Sequence, residues 1–297
     1  TQRIRDSGVD LVRLAWCDAH GALRGKTLTA AAAIKALMAG VGMVGTFMLK
    51  DTSDRTVFKV FEPGGLGDMP GFAGAANLML LPDPTSYQVL PWAAGTGWLR
   101  CQPWFQDGAP VPFDTRRVLQ RALAQLGKCG LGMVCGLVLF RNGVRQALRR
   151  AGYHATFMCR PPFAHIMSSG WHLHQSVVEL VTGRNVFVRD AVAPGAQSAD
   201  ATFTLSDTGA AWLAGLLAHA PGMASLCTTT VNGFGRLKPN ALAPHAAVWG
   251  RDNRGAMLRV VGGVGDAATR IENRLGEPAA NPYLYMAAQV FAGLDGL

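Results

Sequence analysis

Alternating and helical periodicities divide the first third of the chain into short strands and one helix. The segment "DLVRLAW" alternates between apolar and polar positions and leads to a turn at Asp18 and Gly21, which predicts a hairpin with a second strand at "LRGKTLT". The alanine-rich "AAAIKALMAG" predicts a helix that ends at Gly40. Three segments bounded by Gly, Pro or Asp predict further strands: "TVFKVFEP", "ANLMLLPDP" and "GWLRCQPWFQDG". We therefore expect a small mixed sheet with one helix.

A long amphipathic helix marks the predicted start of a second domain. Asp114 is a candidate N-cap, and the apolar face that follows comprises Val118, Leu119, Ala122 and Leu126. Beyond it, strand-like segments ("LGMVCGLVLF", "HATFMCRP", "WHLHQSVV", "MLRVVGG") alternate with helical ones ("NGVRQALRRAG", "DTGAAWLAGLLAHA", "PYLYMAAQVFAGL"). This alternation is typical of an α/β or α+β layer. We predict two domains, at residues 1–110 and 111–297.

Composition narrows the class of protein. The chain has 297 residues, of which 49% are hydrophobic, so it can fill a sizeable core. Only 16% are charged, which leaves much small or apolar surface and favours an oligomer. The net charge of +9 comes from scattered arginines without a basic run, so we expect anionic small molecules as ligands rather than nucleic acid.

The spacing of the cysteines and the length of the apolar segments indicate the cellular compartment to be expected for the protein. The six cysteines show no CxxC and no regular framework, which favours reduced thiols. The longest apolar run, "ALMAGVGMVGTFML", is too short to span a bilayer, and the polar first residues show no signal peptide. We therefore expect a cytoplasmic protein that does not bind membranes.

Two histidines in "GWHLHQS" could share one ligand. His172 and His174 are two positions apart, and on a strand this spacing directs both side chains to one face, which Ser176 continues. Such a row can bind a metal ion or a phosphate. It can equally be a hydrogen-bonded pair in a core or on a surface, and the motif alone leaves both interpretations open.

The segment "RIENR" applies the same spacing to charges. Arg270, Glu272 and Arg274 would face one side of a strand, either as solvated charges on an exposed edge or as part of a site. Nearby arginines favour a site for carboxylate or phosphate, because guanidinium pairs with both in a bidentate way. These arginines are Arg236, Arg251, Arg254 and Arg259. A single glutamate among them could bind a divalent cation.

Several ordered motifs resemble the glutamine synthetase family. They are "LPDPTSYQVLPWAAGTGWLRCQPWFQDGAPVPFDTRRVLQRAL", "HATFM", "GWHLHQS", "TVNGFGRLKP", "DNRGAMLRV" and "TRIENRLGEPAANPYLYMAAQVFAGLDGL", and together they cover almost the whole chain. The resemblance implies an α+β fold, with a small β-grasp-like N-terminal domain and a catalytic domain built on a curved antiparallel sheet with flanking helices. It also implies a homo-oligomer, a dodecamer of two stacked hexameric rings.

The activity implied by the resemblance is a carbon–nitrogen ligation. ATP phosphorylates the γ-carboxylate of glutamate, and ammonia or an amine displaces the phosphate, with Mg²⁺ or Mn²⁺ as the cofactor. The metal ligands of the family match His172 and Glu272. Its nucleotide contacts match His174, Ser176, Arg259 and Arg270.

Other matched positions concern glutamate and catalysis. Arg236, Arg254 and Arg274 match arginines that hold glutamate and the transferred phosphoryl group. Arg254 is also a candidate catalytic residue, together with Asp51, which matches a carboxylate offered to ammonium across a subunit boundary. Charge neutralisation by arginines suits phosphoryl transfer, in which positioning and electrostatics supply most of the rate.

The chain departs from the family near residues 140–141. The family strand of the type GLEVEF carries two metal-binding glutamates, whereas "GLVLF" has neither, and a long insert with further glutamate ligands is missing. Either the chain is a degenerate, ring-forming relative that binds nucleotide or carboxylate without turnover, or the sequence is joined across an absent segment. We favour the second, because losing a strand and a helix from a packed sheet would expose its core.

A second departure concerns the acceptor. Leu242, in "KPNALAP", occupies the position of a glutamate that helps ammonia-using members to select ammonium. An apolar side chain there could pack against the carbon chain of an organic amine. We therefore expect either ammonia or an amine as the acceptor.

Overall fold

A curled sheet forms the N-terminal unit in the computed structural model, which describes residues 1–51, 53–63, 69, 71–136, 141–163, 166–191, 204–239 and 243–297. The chain divides into two compact units, Thr1–Val118 and Leu119–Leu297. The domain limits predicted at residues 110 and 111 stay a prediction.

The N-terminal sheet combines antiparallel pairs with one parallel pair. Its strands are β1 (Leu11–Cys17), β2 (Leu23–Thr29), β3 (Val41–Val44), β4 (Asn77–Pro82), β5 (Gln88–Val89) and β6 (Thr96–Trp104), and its helices are α1 (Gln2–Asp6) and α2 (Ala30–Ala39). The order is β2-β1-β6-β4-β3, with β5 beside β6, and β1 runs parallel to β6. Leucines and valines that alternate along these strands fill the core under α2.

Local sequence explains the hairpin and helix α2. The Asp18 carboxylate accepts hydrogen bonds from the amides of His20 and Ala22 at 2.9 Å, and Gly21 adopts φ 74°, so the chain reverses between β1 and β2. The Thr29 hydroxyl caps α2, which ends at Gly40 with φ 71°. The predicted hairpin and helix are confirmed.

The strand predicted at "TVFKVFEP" is wrong. Residues 56–63 form an isolated bridge from Thr56 to Lys50 and no strand. Val60 is buried, whereas Phe61 is 80% exposed. The apolar residues of this segment therefore belong to a loop that buries one side chain, Val60, in the core. The segment forms no strand because no neighbouring strand among the described residues pairs with its backbone.

A five-stranded sheet is the centre of the C-terminal unit. Its order is β7-β8-β11-β10-β9, and the strands are antiparallel except for the parallel pair β9 and β10. The strands are β7 (Leu131–Gly136), β8 (Leu173–Glu179), β9 (Trp249–Arg251), β10 (Leu258–Val261) and β11 (Arg270–Asn273). The helices are α4 (Arg141–Arg150), α5 (Asp207–Ala218), α6 (Ala220–Cys227), α7 (Val231–Phe234) and α8 (Pro282–Gly296), and α3 (Thr115–Lys128) crosses the division between the units.

Most predicted elements of this unit are present. Ala122 and Leu126 are fully buried on α3, and the backbone amides of Arg116 and Arg117 bond to Asp114 at its start. The last part of the predicted strand "LGMVCGLVLF", residues 137–140, and the predicted interruption beside it lie outside the described residues. The mixed α+β class with a curled sheet is confirmed.

The strand predicted at "HATFMCRP" is wrong. Its backbone bonds go to a loop and to a side chain: Ser169 N donates to Cys159 O at 2.7 Å, and Arg160 N donates to Asn232 Oδ1 at 2.8 Å. Cys159 is the one buried side chain in residues 154–161. Since these bonds replace a strand partner, the alternating pattern does not produce a strand.

A buried polar network supports the sheet from its helical side. Gln289 on α8 accepts hydrogen bonds from Gln175 on β8 and from Asn273 on β11, each at 2.9 Å. Trp212 Nε1 donates to Gln175 Oε1 at 3.2 Å. Because buried amides that lose a partner are costly, this network fixes the register of β8 against β11.

None of the described helices has, by itself, both the length and the apolar content needed to span a membrane. Helices α5 and α6 reach that length and apolar content only together, as a pair bent by 74°.

Candidate functional site

Three charged or polar side chains form one row across β10, β11 and β8. Glu272 is paired in register with Arg259 on one side and with His174 on the other. Their neighbours Ile271 and Asn273 face the buried side of the sheet. We call Arg259, Glu272 and His174 the charged row. The prediction that "RIENR" and "WHLH" each direct alternate side chains to one face is confirmed by this arrangement.

Glu272 is the centre of the site and is almost fully enclosed by cationic partners. Its side chain is 3% exposed, Oε2 accepts from Arg259 Nη1 at 2.9 Å, and Oε1 accepts from Arg274 Nη1 at 2.8 Å. His172 Nδ1 lies 2.9 Å from the same Oε1. Burial alone would raise the pKa of Glu272, but the bonds from His172 and Arg259 and the charge of Arg274 outweigh it and hold the pKa at about 2. Glu272 is therefore a carboxylate at neutral pH.

His174 is held neutral at neutral pH. Arg270 Nε donates to His174 Nδ1 at 3.2 Å, so that nitrogen must carry a lone pair and the ring proton lies on Nε2. Burial lowers the pKa of His174, the Glu272 charge opposes this, and the charge of Arg270 adds to the lowering. Nε2 lies 3.7 Å from Glu272 Oε1, so its N–H faces the carboxylate beyond hydrogen-bond distance.

Gly170 fits tightly beneath His172. A Cβ added at this glycine would lie 2.6 Å from His172 Nε2 and 2.7 Å from Arg236 Nη1. Both distances are shorter than any ordinary contact, so a larger residue would displace the ring or the guanidinium. The motif "GWHLHQS" therefore requires its first residue to be glycine on steric grounds, in addition to supplying the histidines.

Arg236 is buried against the backbone that follows β11. It is 2% exposed, and its guanidinium donates to the carbonyl oxygens of Leu275 at 2.6 Å, Gly276 at 3.0 Å and Arg274 at 3.3 Å. These bonds fix the backbone that carries Arg274. The structure thus places Arg236 as a positioning residue, and its predicted contact with glutamate stays a prediction.

The remaining candidate site residues differ in their solvent exposure and in the unit to which they belong. Arg254 is exposed, and its carbonyl oxygen accepts from Arg274 Nε at 3.0 Å, whereas Ser176 is half-buried on β8. Asp51 lies in the N-terminal unit, where its carboxylate accepts from the amides of Ser53 and Arg55 at 2.8 Å. The bond from Arg55 is the main cause that lowers the pKa of Asp51. Leu242 lies outside the described residues.

Sequence reasoning missed Asp252. Its carboxylate accepts from Arg259 Nε at 2.9 Å and also contacts Arg259 Nη2, so it holds the far side of the guanidinium that binds Glu272. Asp252 has φ 46°, a backbone conformation that aspartate tolerates in turns. The acidic residue inside "RDNRG" was the available signal.

The described residues do not by themselves fit a divalent metal ion. Among them, no group of three or more His, Cys, Asp or Glu side chains is arranged to hold one. The predicted pair, His172 and Glu272, is present at 2.9 Å, but both Glu272 oxygens already accept from arginine. A Mg²⁺ or Mn²⁺ ion needs about six oxygen ligands and would have to displace these cations, so further ligands are required.

Comparison with known proteins points to one family. The model of the glutamine synthetase catalytic domain matches residues 130–297. A γ-glutamylanilide synthase from Acinetobacter sp. is 29% identical and covers 98% of this chain and 76% of its own length. A glutamine synthetase from Methylococcus capsulatus is 30% identical over 87% of this chain, which spans about half of that relative, 52%.

Solved structures agree on the fold. An ADP complex of GmaS superposes with a TM-score of 0.76 at 24% identity, covering 99% of this chain and 80% of that one. At this identity the likeness establishes the fold alone.

The alignment with the anilide synthase reveals a difference in length. It extends over 389 positions, whereas 98% of this chain amounts to about 291 residues, so about 98 positions of the relative have no counterpart here. Inside this match the chain is therefore shorter than the anilide synthase.

Proposed function

The chain belongs to the glutamine synthetase family, and from this premise we propose that it is part of an ATP-dependent ligase that joins the γ-carboxylate of glutamate to ammonia or an amine. The observation that carries the proposal is the charged row, with Arg270, Arg274 and His172 around it, inside the region that the family model matches. It provides fixed cationic groups where a reaction between two anions requires them.

In the proposed reaction the γ-carboxylate of glutamate attacks the terminal phosphorus of ATP, and ADP leaves. The amine then attacks the acyl carbon of γ-glutamyl phosphate, and phosphate leaves. Arg254 and Arg274 stabilise glutamate and the transferred phosphoryl group, and Arg236 holds the backbone beneath Arg274. Asp51 of a neighbouring subunit accepts the proton that the amine loses.

The nucleotide lies, in this proposal, on the side of the row that carries His174 and Ser176. The neutral His174 offers an N–H donor, and the two nearby guanidinium groups, Arg259 and Arg270, offset the charge of the phosphates. Each of these residues binds or orients the substrate, and none of them forms a covalent intermediate.

The metal cofactor of the family requires residues beyond the described ones. Because His172 and Glu272 are insufficient, we propose that the natural polypeptide contains a further segment close to residues 140–141 that supplies the other carboxylates. The roughly 98 unmatched positions of the anilide synthase support this proposal. We also propose that the assembly is a ring-shaped homo-oligomer, which native mass spectrometry would test.

An amine is the proposed acceptor, with ammonia as the alternative. A relative that aligns with 98% of this chain is a γ-glutamylanilide synthase, and Leu242 replaces an acidic position of the flap. An apolar side chain favours an organic amine over ammonium because it removes an attraction for the cation and offers a packing surface.

Phosphate release tests the function. The natural polypeptide is incubated with ATP, Mg²⁺, glutamate and, separately, ammonia, methylamine, ethanolamine, a polyamine or aniline. We expect release that depends on both glutamate and one acceptor, with Arg254→Gln lowering kcat/KM by about 10²-fold. Arg149→Gln, on the exposed face of α4, is the control and should leave the rate unchanged. Release without any dependence on glutamate would refute the proposal.

A second candidate is a degenerate relative that binds a nucleotide or a carboxylate without turnover. The observation that favours it is that two arginines balance the charge of the Glu272 carboxylate. A carboxylate enclosed in this way stabilises the site without a metal ion. Under this alternative, calorimetry would detect ATP binding of equal strength in Mg²⁺ and in EDTA, and no acceptor would stimulate phosphate release.

A further inference from the structure

A pocket in the N-terminal unit lies between the two end strands of its curled sheet. The strands β2 and β3 stand at opposite ends of the sheet order, yet residues from both line the same cavity, of about 450 Å³. Lys26 on β2 donates from Nζ to the carbonyl oxygen of Gly42 on β3 at 2.9 Å, so the ends of the sheet approach each other there. The cavity volume lies within the range of pockets that bind small molecules.

The walls of this pocket combine apolar surface with two polar groups. Met43 and Trp16 belong to the buried core of the unit, and Phe47 adds a partly exposed aromatic ring. Lys26 and Asn77 contribute an ammonium and an amide at the exposed side. Such a lining favours a ligand with an apolar body and one polar end.

Lys26 lacks an acidic partner within the described part of the chain. Its ammonium contacts a carbonyl oxygen, whereas the neighbouring Arg24 is paired with both Asp18 and Asp54. Asn77 makes no side-chain hydrogen bond to any described residue. A carboxylate placed between these two groups would gain a charge-assisted bond from Lys26 and a neutral one from the amide.

One of the residues that line the pocket is a glycine, Gly42. A Cβ added at Gly42 would meet no atom within 4 Å, and the backbone there is ordinary strand. A side chain at this position would therefore project into free space without straining the fold, which makes Gly42 a site for blocking the cavity selectively.

We propose that this pocket binds a small carboxylate with an aromatic or aliphatic body, whose carboxylate pairs with Lys26 and whose body packs against Phe47 and Met43. The site is separate from the charged row and does not depend on the proposed ligase activity. Recognition of the ligand rests on one charge and one apolar wall.

The test uses phenylacetate as the probe, titrated into the full chain by calorimetry. We expect saturable binding with a dissociation constant on the order of 1 mM, as suits a ligand of this size. The uncharged analogue phenylacetamide should bind at least about tenfold more weakly, because it cannot form the ion pair. Equal binding of the amide, or no saturation, would refute the proposal.

Matched variants locate the site. Lys26→Met should weaken binding about tenfold and Gly42→Leu should abolish it, while Lys35→Met, which removes an exposed charge from α2, should change nothing. Circular dichroism checks that Gly42→Leu is folded. Binding that survives Lys26→Met and Gly42→Leu but is lost in Arg254→Gln would place the probe at the charged row and overturn the proposal. A change of oligomeric state in Gly42→Leu without any probe binding would assign the pocket to contact between copies, which also contradicts it.

Discussion

The charged row and the segments on either side of residues 137–140 differ in how completely their side chains are covered. At the charged row, Glu272 pairs with Arg259, Arg274 and His172 at 2.8–2.9 Å, and His174 lies 3.7 Å from it. The second region, which we call the flank, comprises β7, α4 and residues 153–163 and 166–167. It exposes a series of apolar side chains: Val134, Leu148, Tyr153, Met158, Phe163, Ile166 and Met167.

This contrast distinguishes a site whose side chains pair with one another from segments whose apolar side chains are exposed. At the row, each carboxylate oxygen of Glu272 already has an arginine partner. The flank exposes seven apolar side chains on the segments that precede and follow residues 140–141, where we propose that the natural polypeptide contains a further segment. We therefore propose that another segment or subunit covers these side chains.

The largest expected effect comes from removing the centre of the row. Glu272→Ala leaves Arg259 and Arg274 without their carboxylate, and breaking such an enclosed pair costs about 3 kcal/mol or more of unfolding free energy. Urea unfolding measures the change. Glu62→Ala, which breaks the exposed pair with Lys59, is the control and should cost less than about 0.5 kcal/mol. Similar costs in both variants would mean that the row is not a closed unit.

Lowering the pH should weaken the ion pairs of the charged row before it changes the flank. The folded-state pKa of Glu272, about 2, lies below the ordinary value of 4.5, so its carboxylate stabilises the fold above about pH 4.5. This contribution is lost as the pH falls from 4.5 towards 2. Unfolding free energies measured across this window should fall more steeply for the natural chain than for Glu272→Gln. Parallel curves would assign the acid sensitivity to other carboxylates.

A smaller loss of stability is expected when a methyl group is added at Gly170, beneath His172. Gly170→Ala places a methyl group 2.6 Å from the His172 ring, and overpacking of this kind costs about 1–3 kcal/mol. Thermal or urea unfolding would show it. Gly222→Ala, on α6 with open space around the new methyl group, should be neutral or slightly stabilising. A Gly170→Ala chain as stable as the natural one would show that the site tolerates movement of the ring.

The smallest effect on stability is expected at the flank. Phe163→Ser should change the unfolding free energy by less than about 0.5 kcal/mol, because the side chain is 65% exposed. It should nevertheless reduce self-association and dye binding, which sedimentation and fluorescence report. Val231→Ser, on the exposed surface of α7, is the control and should reduce neither. A large loss of stability in Phe163→Ser would show that the flank is packed.

The sequence predicts the row better than its surroundings. Period-two spacing was sufficient to place Glu272, Arg270 and His174 on one face, because strands β8 and β11 are held in register by buried amides beneath them. The partner Asp252 was not predicted, since only the turn between β9 and β10 brings it to Arg259. The strands predicted at residues 56–63 and 154–161 failed because a strand needs a neighbour, which a local pattern does not reveal.

The central proposal is that the natural polypeptide contains a further segment close to residues 140–141 that this sequence omits. Tryptic peptide mapping of the protein purified from its source tests this directly, because cleavage after Lys128 and Arg141 would release the peptide "CGLGMVCGLVLFR" if the chain were continuous. The account predicts that this peptide is absent and that the intact mass exceeds 31.5 kDa by about 10 kDa, the mass of some 98 residues. Detection of the peptide at full yield, with a mass of 31.5 kDa, would contradict it.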